Sequence, residues 1–364
     1  MKCPYCDNDM LLGVIQSRDS QLYWHHGERY FLDDKAIPLS SFRFFTGATL
    51  VAHHCQICEK IVIDYADGGS IYKRRRFKAM KKRRKPAESN ALYVSDLDGT
   101  LLDCNAELSE FTKNSINEMT ARGLKFSIAT ARTWATAAKI LDGLTLNHPV
   151  VLMNGVLVYE PTAGKYLQIN RLEPASVTAI CETLQQFNLS GLMYELRDGK
   201  LTTYYESLET QALRDFVDER AGKYFKEFVH VEAFSELPFD DIIYFTMMEP
   251  YERLEPVRAA LEALPNVSVA FYKDNYSEDL WLLEAFSGVA SKRSGIEALR
   301  NCGYGGIVCF GDNLNDLPMF EASDIRIAVA TAKDEVRAAA NIVCGANDED
   351  GVAKWLKENA PLNK

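Results

Sequence analysis

From residue 91 onward, short apolar runs alternate with longer stretches of helical period, and two of those runs end on aspartate. ALYVSD (91–96) is followed by LSEFTKNSINEMTARG (108–123), an amphipathic pattern between a capping Ser109 and a stopping Gly123. KFSIAT (125–130) precedes a helix that runs through Leu141, and PVVLMN (149–154) comes next. Far downstream, GIVCFGD ends at Asp312, and IRIAV (325–329) follows a further helix. Strands without polar alternation are buried on both faces, and strands joined by helices run parallel. The pattern predicts an α/β fold, a doubly wound Rossmann-like parallel sheet, with ligands at the carboxyl ends of its strands. Residues 161–283 interrupt it with strands (LMYEL, KLTTYY, DIIYFTMM, SVAFY, DLWLLEAF) and helices (SVTAICETLQQF, YERLEPVRAALEAL) of their own. An inserted α+β domain is therefore expected, with the sheet domain in two parts, 91–160 and 284–364.

Both strand-end aspartates sit in acidic clusters. Asp96-Leu97-Asp98-Gly99-Thr100 starts at a strand end, where a loop turns both carboxylates toward one pocket. Like charges held that close require a compensating cation. Asp312 and Asp316 are four apart and share a face if a helix begins there. Carboxylate oxygens at 96, 312 and 316 suit Mg²⁺, which takes a few carboxylates plus water. Thr130 and Arg132, again at a strand end, offer a hydroxyl and a guanidinium to phosphate oxygens, and Lys292 offers a point charge. This is the layout of a phosphoryl site with a divalent metal.

In this order, the motifs resemble those of the haloacid dehalogenase superfamily, and specifically its Cof-type phosphatases. DLDGTLLD is similar to the first motif, Thr130 to the second, Lys292 to the third and GDNLNDLPMF to the fourth. Asn154-Gly155 resembles the substrate-loop NG of that branch, and NDEDGVAKWL its closing helix. The insert lies between the second and third motifs, the position of a C2 cap in that family. The resemblance implies that Asp96 is a nucleophile that becomes phosphorylated and that Asp98 is the acid and then the base. It implies that Thr130, Lys292 and Asn315 hold the phosphoryl group, and that Arg132, Asn154 and Gly155 contact substrate. The implied Mg²⁺ ligands are Asp96, Asp98, Asp312 and Asp316. An Asp at 98 favours a phosphatase or phosphotransferase over ion-pumping ATPases, where Thr stands there, and over dehalogenases, which lack an acid at that position. The implied substrate is a small phosphorylated metabolite, a sugar phosphate or a flavin- or pyridoxal-related phosphate. One residue departs from the pattern: Arg293 follows Lys292 where the family has Gly, which predicts a more positive site entrance. In the insert, Tyr194, Arg197 and Lys200 lie near a turn that could face the site, although Arg or Lys at such a turn is more often a surface residue.

The first 70 residues read differently. Strand-like stretches (LLGVIQ, QLYWHH, RYFL, KIVIDY) are punctuated by Cys3-Pro4-Tyr5-Cys6 and Cys55-Gln56-Ile57-Cys58. Four thiolates close a tetrahedral Zn²⁺ shell and pin a small β-rich unit that buries little surface. Residues 1–70 thus resemble a zinc ribbon, with Cys3, Cys6, Cys55 and Cys58 as ligands of a structural Zn²⁺. A redox reading of CPYC needs a strand before the motif, for which Cys3 leaves no room, and gives the second pair no role. His25, His26, His53 and His54 are alternative ligands that four cysteines make unnecessary. The other five of nine cysteines are scattered, and an odd count does not suit a disulfide framework. Residues 71–90 form a linker whose run KRRRFKAMKKRRK holds ten basic side chains and no acidic one.

The net charge is −10, so the chain without that run stands at −20. A polyanion-binding surface over the whole molecule is therefore excluded, and a local basic arm is not. No apolar run reaches the roughly 18–20 residues of a membrane span, and no apolar signal core opens the chain, so a cytoplasmic location is expected. Two functions compete: a Mg²⁺-dependent phosphatase, and a zinc-ribbon module binding nucleic acid or protein in which the phosphatase fold is secondary or regulatory.

Overall fold

The computed structural model describes residues 90–273 and 279–361, together with the backbone of five short strands between residues 11 and 62. The chain divides into two units, Met1–Arg83 and Arg84–Lys364. In the first, β1 (Leu11–Gln16), β4 (Thr49–Cys55) and β5 (Lys60–Val62) form an antiparallel sheet in the order β1-β4-β5. A separate pair joins β2 (Tyr23–Trp24) to β3 (Ile37–Pro38). Cys3, Cys6 and Cys58, the side chain of Cys55 and the basic run lie outside the described residues.

The second unit is built on a five-stranded sheet of β6 (Ala91–Ser95), β7 (Lys125–Ile128), β17 (Gly306–Gly311), β18 (Ile325–Ala328) and β19 (Ile342–Val343). Its order is β19-β18-β17-β6-β7 and every pairing is parallel. Every residue of β6 and β17 is buried, as unbroken apolar runs require. Their register pairs Phe310 with Ser95, so Asp96 and Asp312 emerge together at one edge of the sheet. Helices α1 (Glu110–Ala121), α2 (Trp134–Ile140), α6 (Lys292–Asn301), α7 (Leu317–Ala322), α8 (Asp334–Ala339) and α9 (Gly351–Asn359) belong to this layer. Ser109 caps α1 as its sequence implies, accepting from Thr112 N at 2.9 Å. Asp350, just before α9, accepts from the hydroxyls of Ser109 and Thr112 and ties the closing helix to α1.

PVVLMN departs from expectation. Only β8 (Val150–Leu152) is strand, and it touches the parallel sheet through a single bridge, Ala129 to Val151. It pairs instead with β9 (Leu157–Glu160), which pairs with β10 (Lys165–Ile169), in an antiparallel meander that the apolar pattern concealed. The reversal is local: Met153, Asn154 and Gly155 all take positive φ (49°, 54° and 91°).

The insert forms a six-stranded sheet from β11 (Leu192–Arg197), β12 (Lys200–Tyr205), β13 (Glu227–His230), β14 (Ile242–Glu249), β15 (Val267–Lys273) and β16 (Trp281–Ser287). The order is β13-β12-β11-β14-β16-β15, antiparallel except between β12 and β13. Helices α3 (Pro174–Gln186) and α5 (Tyr251–Glu262) cover one face over Met193, Phe245, Met247, Leu283 and Ala285. The alternate residues, Leu192, Tyr194, Leu282 and Phe286, join the hydrophobic core of the parallel sheet. Helix α4 (Gln211–Tyr224) was not legible beforehand, because Leu213, Val217 and Tyr224 are its only buried side chains.

Candidate active site

The site begins where β6 stops. Residues Leu97–Leu101 fold into one tight turn in which Gly99 has φ 76°. A Cβ at Gly99 would lie 2.5 Å from Asp312 Oδ2, so only glycine lets the two acidic loops approach. Thr100 Oγ1 donates to Asp312 Oδ1 at 2.7 Å and locks the loops together. One oxygen from each of Asp96, Asp312 and Asp316 lies within 4.8 Å of the others. Asp98 stands apart from that trio: its carboxylate receives Arg132 Nε at 2.8 Å and Nη2 at 2.5 Å.

Lys292 is 1% exposed and sits between two of these carboxylates. Its Nζ lies 2.9 Å from Asp96 Oδ1 and 2.7 Å from Asp316 Oδ1. It is the first residue of α6, set there by a reciprocal capping box between Ser291 and Ser294. Asp312 and Asp316 do not share a helical face. Asp316 closes a short 3₁₀ turn, Leu314–Asp316, and its Oδ2 accepts from the backbone N–H groups of Asp312 and Asn313 at 2.8 and 3.0 Å. Its role is therefore to bind the loop and Lys292 together as much as to offer a free oxygen.

Burial pushes Asp96 well above the usual carboxylate range, Asp316 and Asp312 add to the rise, and Lys292 opposes it. Burial and Asp316 push Asp312 to about 7. Burial also works against the Lys292 ammonium, but Asp316 and Asp96 outweigh it and hold the amine above its ordinary value. Two buried carboxylates and the half-buried Asp312 against one lysine leave excess negative charge in a set of hard oxygen donors. A dication of the Mg²⁺ type fits that donor set.

Above the acidic trio lies a cavity of about 160 Å³. Asp96, Asp98, Arg132, Asn313 and Asn315 line it from the parallel sheet, and Tyr194, Arg220, Lys226, Tyr244 and Glu284 from the insert. Asn315 Oδ1 is buried there without a hydrogen-bond partner among the described residues. Thr130 is fully buried and accepts from the backbone N–H of Arg132 at 3.1 Å, so its visible work is to fix the loop that presents the guanidinium. Asn154 and Gly155 do not line the cavity. Asn154 Nδ2 donates to Tyr244 Oη at 2.9 Å and to Glu284 Oε2 at 3.0 Å, tying the meander to the insert's sheet. Gly155 has φ 91°, and a Cβ on it would meet the Ser291 carbonyl oxygen at 1.9 Å, so glycine permits the close packing that seats Lys292.

Tyr194 reaches the cavity, whereas Arg197 and Lys200 do not. Arg197 pairs with Glu195 at 2.6 Å and Asp241 at 3.3 Å, and Lys200 with Glu227 at 2.8 Å, all at the solvent end of the hairpin. Arg293 adds no charge to the cavity lining, because it pairs outward with Glu297 at 2.9 Å and Glu321 at 3.3 Å. Arg220, Lys226, Tyr244 and Glu284 were missed beforehand. Of these, Glu284 left a sequence signal, a lone acid inside the apolar strand WLLEAFS.

A family model described as haloacid dehalogenase-like hydrolase matches residues 93–356. A second, described as a domain of unknown function (DUF6487), matches residues 3–67. The 5-amino-6-(5-phospho-D-ribitylamino)uracil phosphatase YitU of Bacillus subtilis is 26% identical over 273 residues, which are 73% of this chain and 96% of that protein. The pyridoxal phosphate phosphatase YbhA of Escherichia coli is 21% identical over 261 residues, 72% of this chain and 95% of its own. A solved haloacid dehalogenase-like hydrolase from Bacteroides thetaiotaomicron superposes with a TM-score of 0.62 at 22% identity, covering 74% of this chain and 99% of the other.

Proposed function

The chain belongs to the haloacid dehalogenase-like hydrolases, and we propose on that footing that it is a Mg²⁺-dependent phosphatase of small phosphorylated metabolites. The observation that carries this reading is the meeting of Asp96 with Asp312 and Asp316, more than 200 residues away in sequence, around a buried Lys292, with Asp96 opening onto the cavity. Asp96, Asp312 and Asp316 would hold Mg²⁺, which when bound offsets the repulsion between carboxylates and phosphate. Asp98, held by Arg132, is the less direct candidate ligand.

Lys292 favours the ionised, nucleophilic form of Asp96 against the burial and the neighbouring carboxylates that oppose it. One Asp96 oxygen attacks phosphorus in line, a bond to phosphorus forms, and the bond to the leaving alkoxide breaks. Asp98 supplies the proton that the alkoxide takes up, and Arg132 fixes the direction of that carboxyl group. Asp98 then accepts a proton from the water that hydrolyses the aspartyl phosphate. Thr130, Lys292 and Asn315 steady the phosphoryl oxygens. The insert, whose sheet runs on through β16 to Ser287 rather than ending at 283, acts as a cap over the parallel-sheet core on either side of it. The named activities of the relatives support a flavin- or pyridoxal-related phosphate as substrate, with a sugar phosphate as the other class that the motifs imply.

For the first unit we retain a structural Zn²⁺ on Cys3, Cys6, Cys55 and Cys58, and contact with nucleic acid or protein through the basic run as an accessory role. The test of the main reading is hydrolysis of p-nitrophenyl phosphate with Mg²⁺. Asp96→Asn is expected to lower kcat by about a thousandfold or more; retained turnover would reject the nucleophile.

A further inference from the structure

The insert's side of the cavity carries two cations for which the phosphoryl chemistry has no use. Arg220, from α4, and Lys226, just before β13, both line it. The Arg220 guanidinium lies 3.4 Å from the centre of the Phe216 ring and pairs outward with Glu219 at 3.0 Å. Lys226 Nζ lies 5.3 Å from the centre of the Tyr194 ring and 5.8 Å from that of Phe228. Among the described residues, no carboxylate lies within ion-pair distance of Lys226. The acids lining the same cavity are engaged elsewhere: Asp96 with Lys292, Asp98 with Arg132 and Glu284 with Asn154.

The backbone is bent to put Lys226 there. Phe225 ends α4 in the left-handed region (φ 52°, ψ 34°), a position that favours glycine or asparagine, and its ring is 85% exposed. The bend turns Phe225 out to solvent, while Tyr224 packs inward and Lys226 reaches the cavity wall. Burial, with Arg220 nearby, lowers the Lys226 ammonium to about 7, and an anion seated between the two would favour its charged form.

We propose that Lys226 and Arg220 form a second anion subsite, so that the preferred substrate is a phosphate monoester whose alcohol portion carries a carboxylate or a second phosphate. This rests on the phosphatase reading and, among its small metabolites, favours esters with a second anion: pyridoxal, flavin-related and simple sugar monophosphates become the poorer substrates. The test uses full-length protein, Mg²⁺ and three small esters. Glycerol 3-phosphate is neutral beyond its scissile phosphate, 3-phosphoglycerate adds a carboxylate, and propane-1,3-diol bisphosphate adds a phosphate.

Wild-type kcat/KM is expected to favour at least one anionic ester over glycerol 3-phosphate by about tenfold or more. Which ester wins identifies the anion. Lys226→Met should shrink that ratio toward one and Lys226→Arg should keep most of it, which a purely structural amine would not explain. Equal rates on all three esters, or a preference that survives Lys226→Met, would overturn the proposal. Turnover of p-nitrophenyl phosphate is read alongside. No turnover of it or of any of the three esters would end the phosphatase reading and this one with it, whereas turnover with no ester preference ends this one alone.

Discussion

Glu284 shows what a single side chain contributes and what the sequence conceals about it. It stands mid-strand in WLLEAFS, so its presence in a buried run was legible, but its partner Asn154 lies 130 residues away and was not. Burial raises the Glu284 carboxyl to about 7, against hydrogen bonds from Tyr244, Tyr272 and Asn154 that pull it down. A carboxyl whose folded value lies above its unfolded one stabilises the fold at low pH. That contribution is lost as pH rises from the ordinary carboxylate range through about 7. Glu284→Gln removes this dependence. Relative to wild type, the variant should gain stability between pH 5 and pH 8, read from urea midpoints at both values. A difference that is the same at both would contradict the assignment. The acidic trio was readable because Asp96 and Asp312 each follow an apolar strand and Asp316 lies four residues beyond Asp312. The Arg132–Asp98 pairing was not, because nothing in local sequence fixes where a guanidinium points.

At the scale of elements, α6 couples stability to the site. Its capping box holds the turn that delivers Lys292 between Asp96 and Asp316. Ser291→Ala removes the side-chain acceptor of the Ser294 N–H and should cost about 1 kcal/mol of unfolding free energy, measured by denaturant titration. An unchanged midpoint would show that Gly155 packing alone seats the helix. Elements were legible where burial is uniform, as in β6 and β17, or where a cap is explicit, as at Ser109. They were lost where a short backbone reversal or a polar surface carried the information. The meander after β8 turns on three consecutive positive φ values, and α4 buries too few side chains to leave an apolar period. Asp312 and Asp316 kept their proximity but through a 3₁₀ turn and not a helical face.

For the whole molecule, the matched relatives span 95–96% of their own length with under three quarters of this chain. The haloacid dehalogenase-like family match, residues 93–356, lies wholly within the second unit, Arg84–Lys364. Residues 84–364 alone are expected to keep phosphatase turnover within about threefold, while a single zinc per chain is found only in the full-length protein; loss of turnover in the fragment would assign the first unit a part in catalysis. Asp96, Asp312, Asp316 and Lys292 meet within the parallel-sheet layer, and side chains of the insert's sheet complete the lining of the cavity that Asp96 faces. Its most direct readout is covalent: rapid quenching during turnover with Mg²⁺, borohydride reduction of any acyl phosphate, and peptide mass analysis. Homoserine at position 96, absent without substrate, is the predicted result. Full turnover with Asp96 unmodified, or reduction at another carboxylate, would contradict the account.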